Sequence, residues 1–268
     1  MGGSEMTHLI RLDQWFGAPV SAGFTNREGG VSEGNYESLN LGFHVSDREE
    51  DVQINRERVA AMLDVQKSDV LFGEQVHGNA VAVVTKDTPR RALYDAIAAV
   101  DGLVTTDRRI ALGVLAADCV PLLFADAYAG VIGVAHAGWR GATSGIVSEV
   151  VRQMLGLFAK PERIRVAIGP AIRGCCYEVD APVVRSARTA YEQMGKPMPV
   201  WRRSSNHIGA VMMDLPRICH DELRTLGVKE EHILDVSICT SCMPGFFSHR
   251  RDHGTTGRQA GLIRLRGV

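Results

Sequence analysis

Residues 117–141 read ADCVPLLFADAYAGVIGVAHAGWRG, and the architecture can be built outward from them. Pro121 to Ala135 reads as a strand, a turn at Ala125 to Gly130, and a returning strand. A hairpin brings its two ends together, so Cys119 and His136, seventeen residues apart in the chain, should meet at its open end. Further apolar, β-branched runs lie at Val81 to Thr85, Leu103 to Thr106, Ile110 to Ala116, Val131 to Ala135, Ile164 to Ile168 and Leu262 to Leu265. Between them Ala142 to Phe158 carries an apolar stripe through Ile146, Val147, Val150, Val151, Met154, Leu155 and Phe158, the signature of a helix with one face on a sheet. Weaker helical patterns cover Asp47 to Leu63, with Asp47 as N-cap, and Asp214 to Leu226, with Asp214 as cap and Gly227 just past the end. Several strands are separated only by hairpin-length gaps such as Gln75 to Val81. The expected fold is therefore α/β (α+β), a single domain of mixed β-sheets layered between helices.

Composition narrows the function classes. The chain has 268 residues, 45% hydrophobic and 23% charged, the balance of an ordinary globular domain. Thirty basic and 31 acidic residues leave a net charge of -1, which provides no global field for nucleic acid or an anionic membrane. No segment approaches the roughly 20 uninterrupted apolar residues of a membrane span, and no basic region followed by an apolar one opens the chain. The expectation is a cytoplasmic protein acting on a small molecule, as a monomer or weak homodimer. Residues 1–7 are read as a leader outside the fold, and 8–268 as one domain. The six cysteines are too sparse for a disulfide scaffold in a chain of this length, so free thiols are expected.

Reactive residues concentrate in four segments: FGEQVHG (72–78), ADCVPLL (117–123), HAGWRG (136–141) and HRRDHGTTGRQAG (249–261). His77 comes from an earlier strand and can join Cys119 and His136 around one ion. Two imidazoles and a thiolate suit catalytic zinc, leaving the fourth tetrahedral position to water. Zinc lowers that water's pKa from about 16 to about 7. Taken singly, a histidine ending a strand is more often hydrogen-bonded than metal-bound, and a lone cysteine after an apolar run is usually a small core residue. Asp118 and the glycines around His136 argue the other way, because neither is useful inside a packed strand. Strand alternation turns Asp118 away from the site unless the backbone bends, which leaves a catalytic and a supporting role open. Gln75 shares the face of His77 and is a candidate substrate or ligand-supporting contact, while Glu74 should face away.

Two stretches suggest anion binding. Gly138 to Gly145 leads into the amphipathic helix with Thr143 or Ser144 as cap, where backbone amides, the helix dipole and Arg140 can hold a phosphate or carboxylate. Arg250, Arg251, His253 and Arg258 form either a second anion site or a solvated basic loop. The Cys239/Cys242 pair (CTSC) lacks a second CxxC to complete a tetrathiolate, and adjacent Cys175 and Cys176 should place at most one side chain in the cleft.

Together with FTNREGGVS (24–32), SLNLGFHV (38–45), GPAIRGCCYEV (169–179) and FFSHRRDHGTTGRQA (246–260), these segments resemble the polyphenol-oxidase laccase-domain family, also described as the purine nucleoside phosphorylase or peptidoglycan editing factor family. The resemblance runs through nearly the whole chain. It implies zinc on His77, Cys119 and His136, with copper as the alternative ion, and one α/β catalytic domain over 8–268. It implies phosphorolysis of adenosine, inosine and methylthioadenosine, with adenosine deamination beside it. Arg27, Asn40 and Arg258 match family positions and are implied substrate or phosphate contacts. Asn26, and His249 where an aromatic is usual, depart from the pattern without touching the ligands.

The laccase label itself meets a chemical objection. A multicopper oxidase needs many histidines, whereas this chain has nine and no His-x-His pair. Two other readings compete with phosphorolysis. One is amide hydrolysis of a peptidoglycan precursor, by zinc hydroxide or by a Cys119/His136 thiol pair. The other is a non-catalytic zinc or nucleoside-binding module, which would need a closed site with four protein ligands.

Overall fold

The computed structural model describes residues 9–91, 95–205 and 207–267. The 1–7 leader reading lies outside them. Two six-stranded mixed sheets form the centre. In the first the strand order is Leu9–Arg11, Val20–Thr25, Gln259–Leu265, Ala111–Ala116, Val70–Gly73, Ala96–Ile97. In the second it is Ile233–Asp235, Arg165–Ile168, Val120–Asp126, Val131–Ala137, Gly102–Thr105, Val81–Val83. All six strand runs read from sequence are present, with ends shifted by up to three residues. The hairpin is antiparallel, with Pro121 opposite His136 and Val120 opposite Ala137.

The sheets pack face to face. Phe24, Leu112, Val114 and Ile263 of the first meet Leu123, Ala125, Ile132 and Val134 of the second in one buried cluster. Their outer faces are covered too. Helix Glu49–Met62 sets Val59 and Ala60 against Leu41, Phe72 and Leu262. Helices Ile146–Gly156, Ala181–Gln193 and Leu215–Thr225 close the far side around Val147, Val151, Tyr191 and Ile218. This gives four layers, helix, sheet, sheet, helices, and it explains why the central strands are largely apolar rather than alternating, with Asp126 and His136 the exceptions near two strand ends: both faces are buried. A small three-stranded sheet joins Glu178–Val179, Val211–Met212 and Arg202–Arg203. Among the described residues no helix is long and apolar enough to cross a membrane.

Local details depart from the sequence reading. Asp47 does not cap its helix, which starts at Glu49 after Arg48; its carboxylate instead accepts from Ser32 at 2.6 Å and Asn40 at 2.8 Å. The stripe helix stops at Gly156, and Phe158, at positive φ and 86% exposed, leaves the core. Asp214 does occupy the N-cap position of its helix, yet its side chain pairs with Arg173 at 3.3 Å rather than with the first-turn amides.

Candidate active site

The hairpin register places the start of one strand beside the end of the next, and the site forms there. Cys119 immediately precedes Val120–Asp126, and His136 is the penultimate residue of Val131–Ala137. His77 arrives on the loop after Val70–Gly73, in a left-handed conformation (φ 62°). One potential ligand atom from each of the three lies within 4.8 Å of the others. The two imidazole rings meet edge-on, 4.7 Å between centroids at 80°. Gly138 makes this closeness feasible, because a Cβ there would lie 2.9 Å from His77 Cδ2 and 3.2 Å from Cys119 Sγ.

Asp101, just ahead of strand Gly102–Thr105, organises the cluster. Its Oδ1 receives His136 Nδ1 at 2.8 Å and the His77 amide at 3.0 Å, while Oδ2 receives the amides of Val76 and Gly78 at 3.2 and 2.7 Å. Burial alone would raise its pKa, but the His136 hydrogen bond and these amides hold the carboxyl below its ordinary range. An ionised Asp101 fixes Nδ1 as the donor and leaves Nε2 of His136 toward Cys119. Burial likewise works against ionising the Cys119 thiol, yet the facing imidazoles outweigh it and bring the pKa down to about 6. His136 is pushed up in turn, its own burial being overcome by Cys119 and Asp101. A thiolate and two imidazoles, one of them oriented by a carboxylate, fit a divalent transition-metal ion with protein on one side and a cavity on the other.

That cavity measures about 640 Å³, within the range of small-molecule sites. Arg140, Arg250 and Arg258 reach it, as do Phe43, Phe72 and Tyr177. Buried Arg56 also borders it, sandwiched 4.4 Å from the Phe43 and Phe72 rings. Partial burial together with Arg258 and Arg56 holds the His44 imidazole down to about 4, and burial pushes the Tyr177 phenol up to about 12. Both are neutral hydrogen-bonding groups at pH 7.

The candidates from the sequence separate into two groups. Gln75, Asp118, Arg140 and Arg258 line the cavity with His77, Cys119 and His136. Gln75 also mends a strand edge, its amide exchanging two 2.8 Å hydrogen bonds with the Leu115 backbone. Glu74 reaches the wall as well, contrary to expectation, though its carboxylate is engaged by Arg91 and the Ala99 amide. The backbone does bend at Asp118 (φ 86°), and the carboxylate turns to Thr240 Oγ1 and the Arg250 amide, each at 2.6 Å. It thereby braces the cavity wall. Arg27 and Asn40 lie outside that wall. Arg27 donates to Glu37 O at 2.6 Å and stacks on Phe247, while Asn40 is fully buried and accepts the Arg258 amide at 2.9 Å.

The anion-site readings also divide. Neither Thr143 nor Ser144 caps the stripe helix; Gly145 holds the N-cap position, and the chain's own Glu222 fills the helix start through Ser148 N at 3.0 Å. In the basic segment Arg250 and Arg258 face the cavity, whereas Arg251 is absorbed by Asp252 and the carbonyls of Thr240 and Phe246. Asp101, His44, Arg56 and Tyr177 went unflagged in the sequence. Only Asp101 left a signal there, as a carboxylate directly before an apolar run.

Comparison with known proteins identifies the family. The family model described as multi-copper polyphenol oxidoreductase laccase matches residues 21–266. Purine nucleoside phosphorylase YlmD of Geobacillus stearothermophilus is 42% identical over 255 residues, 92% of this chain and 90% of that protein. Purine nucleoside phosphorylase ORF3 of Streptomyces griseus is 44% identical over 252 residues, 92% and 97% of the two chains. The crystal structure of the Geobacillus YlmD superposes with a TM-score of 0.89 at 38% identity, covering 99% of this chain and 98% of that one. The chain belongs to the multi-copper polyphenol oxidoreductase laccase family.

Proposed function

We propose that this protein is a cytoplasmic, zinc-dependent purine nucleoside phosphorylase acting on adenosine, inosine and methylthioadenosine, with adenosine deamination as an accompanying activity. The observation that carries the reading is the arginine-bearing cavity of about 640 Å³ opening directly on His77, Cys119 and His136. Two relatives bearing the phosphorylase name over nine-tenths of the chain support it.

Arg140, Arg250 and Arg258 supply guanidinium groups for phosphate. Phe43, Phe72 and Tyr177 offer aromatic surface for a purine, and His44 and Tyr177 neutral polar contacts for a sugar. A phosphate oxygen held in line with the anomeric carbon forms a bond there as the glycosidic bond breaks, its electron pair passing to the leaving base nitrogen. The contribution of the arginines is positioning and charge neutralisation. Zinc bound by His77, Cys119 and His136 would supply a Lewis acid at the cavity floor. Chromatography of adenosine incubated with and without phosphate tests the reading. Adenine release only with phosphate is expected; its absence would sink the proposal, and inosine appearing without phosphate marks the deamination.

One observation favours a second reading. Cys119, His136 and Asp101 also line up as nucleophile, base and orienting carboxylate, the arrangement of a thiol hydrolase for amides of a peptidoglycan precursor. Loss of one zinc equivalent in Cys119→Ala counts against it, because a coordinated thiolate is not a free nucleophile.

A further inference from the structure

We infer that the chain carries a second metal site, a structural tetrathiolate built from Cys175, Cys176, Cys239 and Cys242, which takes a thiophilic divalent cation of the zinc class. The four thiols come from two loops far apart in sequence, yet their sulfurs all lie within 4.8 Å of one another. Cys242 Sγ is 3.5 Å from Cys175 Sγ and 3.3 Å from Cys176 Sγ. With Zn–S bonds of about 2.3 Å, a regular tetrahedron places its sulfurs about 3.8 Å apart, so only small side-chain adjustments are needed. None of the four lines the cavity at His77, which makes this a separate centre.

The backbone explains how a pattern unpromising in sequence produces the site. The amides of Cys176 and Tyr177 both donate to Arg173 O at 2.9 Å, a tight turn that directs two consecutive cysteines to one side. Cys239 is fixed by a bridge to Ala171 and by the Thr240 amide donating to Ala171 O. The amides of Arg173 and Cys242 point at Cys239 Sγ, supplying the N–H donors that stabilise a coordinated thiolate. Cys175 and Cys242 are exposed, so an ion can enter from solvent.

The site would clamp two loops of the catalytic cavity. Cys176 directly precedes Tyr177, which lines the cavity. Cys239 directly precedes Thr240, whose hydroxyl holds Asp118, and Asp118 in turn receives the Arg250 amide. A closed four-ligand centre leaves no position for substrate, consistent with a structural role.

Metal analysis of gel-filtered, zinc-supplied protein tests the inference in wild type, Cys242→Ser and His77→Ala. Two zinc ions per wild-type chain are expected, falling to one in Cys242→Ser and, at the other centre, to one in His77→Ala. Unchanged zinc in folded Cys242→Ser overturns this proposal, whereas unchanged zinc in His77→Ala counts against the catalytic centre alone. A second measurement needs no variant. Iodoacetamide labelling of native wild type, mapped by peptide mass spectrometry, should spare all four cysteines until a chelator is added. Labelling of Cys175 or Cys242 without chelator, or a disulfide among the four in metal-supplied protein, overturns it equally.

Discussion

His136 Nδ1 and Asp101 Oδ1 lie 2.8 Å apart in the interior, and the same carboxylate gathers three consecutive backbone amides of the loop that delivers His77. One carboxylate therefore positions both imidazoles of the proposed metal site, one through its ring and the other through its backbone. Asp101→Asn keeps the shape but removes the charge and one of the accepting oxygens. It should weaken zinc binding about 10–100-fold, measured by competition with a chromogenic chelator.

The same substitution has a pH signature. The Asp101 carboxyl is held below its ordinary value of 3.8 in the folded chain. Its contribution to stability is thus complete above about pH 4 and is lost as pH falls through the lower folded value. Unfolding free energies from denaturant titrations should separate wild type from Asp101→Asn by about 1–3 kcal/mol at pH 7 and converge in strong acid. A gap that persists unchanged below pH 3 would show that Asp101 acts through packing and not through its charge.

Gly138→Ala should abolish metal binding at the proposed His77, Cys119 and His136 site and leave the fold standing. The added methyl group would stand 2.9 Å from His77 Cδ2 and 3.2 Å from Cys119 Sγ, and rigid ligands cannot yield without leaving their positions. Gly156→Ala is the matched control, since nothing lies within 4 Å of its Cβ position. That variant should keep its metal and gain up to about 1 kcal/mol of helix stability. Metal content and circular dichroism of the two proteins decide the matter.

The layered fold was legible where burial is simplest. Strands covered on both faces, such as Ala111–Ala116 and Val120–Asp126, are apolar throughout or up to the terminal Asp126 and announce themselves. Val20–Thr25 reads VSAGFT, whose small residues hide a strand just as buried, and helix Ala181–Gln193 conceals its core stripe because two of the four residues, Ala187 and Ala190, are alanines. At the site, the hairpin made the Cys119–His136 meeting predictable from local pairing alone. The positions of Asp101, of Arg56 between two phenylalanines and of the four clustered thiols depend on long-range packing, for which no short spacing rule exists. The reading of the stripe helix as an anion site missed for a related reason: it could not reveal that Glu222, seventy-four residues beyond Ser148, already sits there.

Glu222 itself yields a test with the opposite sign to Asp101. Burial raises its pKa above the ordinary 4.5, against the pull of the Ser148 hydrogen bonds. The folded chain therefore holds this proton more tightly than the unfolded one, and stability falls as pH rises from about 4.5 through the raised folded value. Glu222→Gln abolishes that dependence. Relative to wild type it should become progressively more stable between pH 4.5 and 7, as read from paired denaturant titrations. A wild-type advantage that grows with pH would instead mean that the ionised carboxylate at the helix start outweighs its own burial.

Arg258 and Arg27 were both implied as substrate or phosphate contacts, and their positions separate them. Arg258 lines the cavity on a backbone pinned by buried Asn40, with its guanidinium anchored to Thr256 O at 2.9 Å and Gly257 O at 3.0 Å. Arg27 is spent on Glu37 O and the Phe247 ring, outside the cavity wall. A charge-assisted hydrogen bond is worth about 1.5–3 kcal/mol, so Arg258→Ala should raise the KM for phosphate at least about tenfold. Arg27→Ala should leave it within about twofold, lowering thermal stability instead through the lost stacking. Arg258→Lys is the sharper variant: it keeps the charge but loses the planar fork, and should recover only part of the loss if phosphate is gripped bidentately. Steady-state phosphorolysis at varied phosphate and saturating nucleoside reads all three. Should Arg27→Ala raise the phosphate KM as far as Arg258→Ala, the cavity described here is not where phosphate binds.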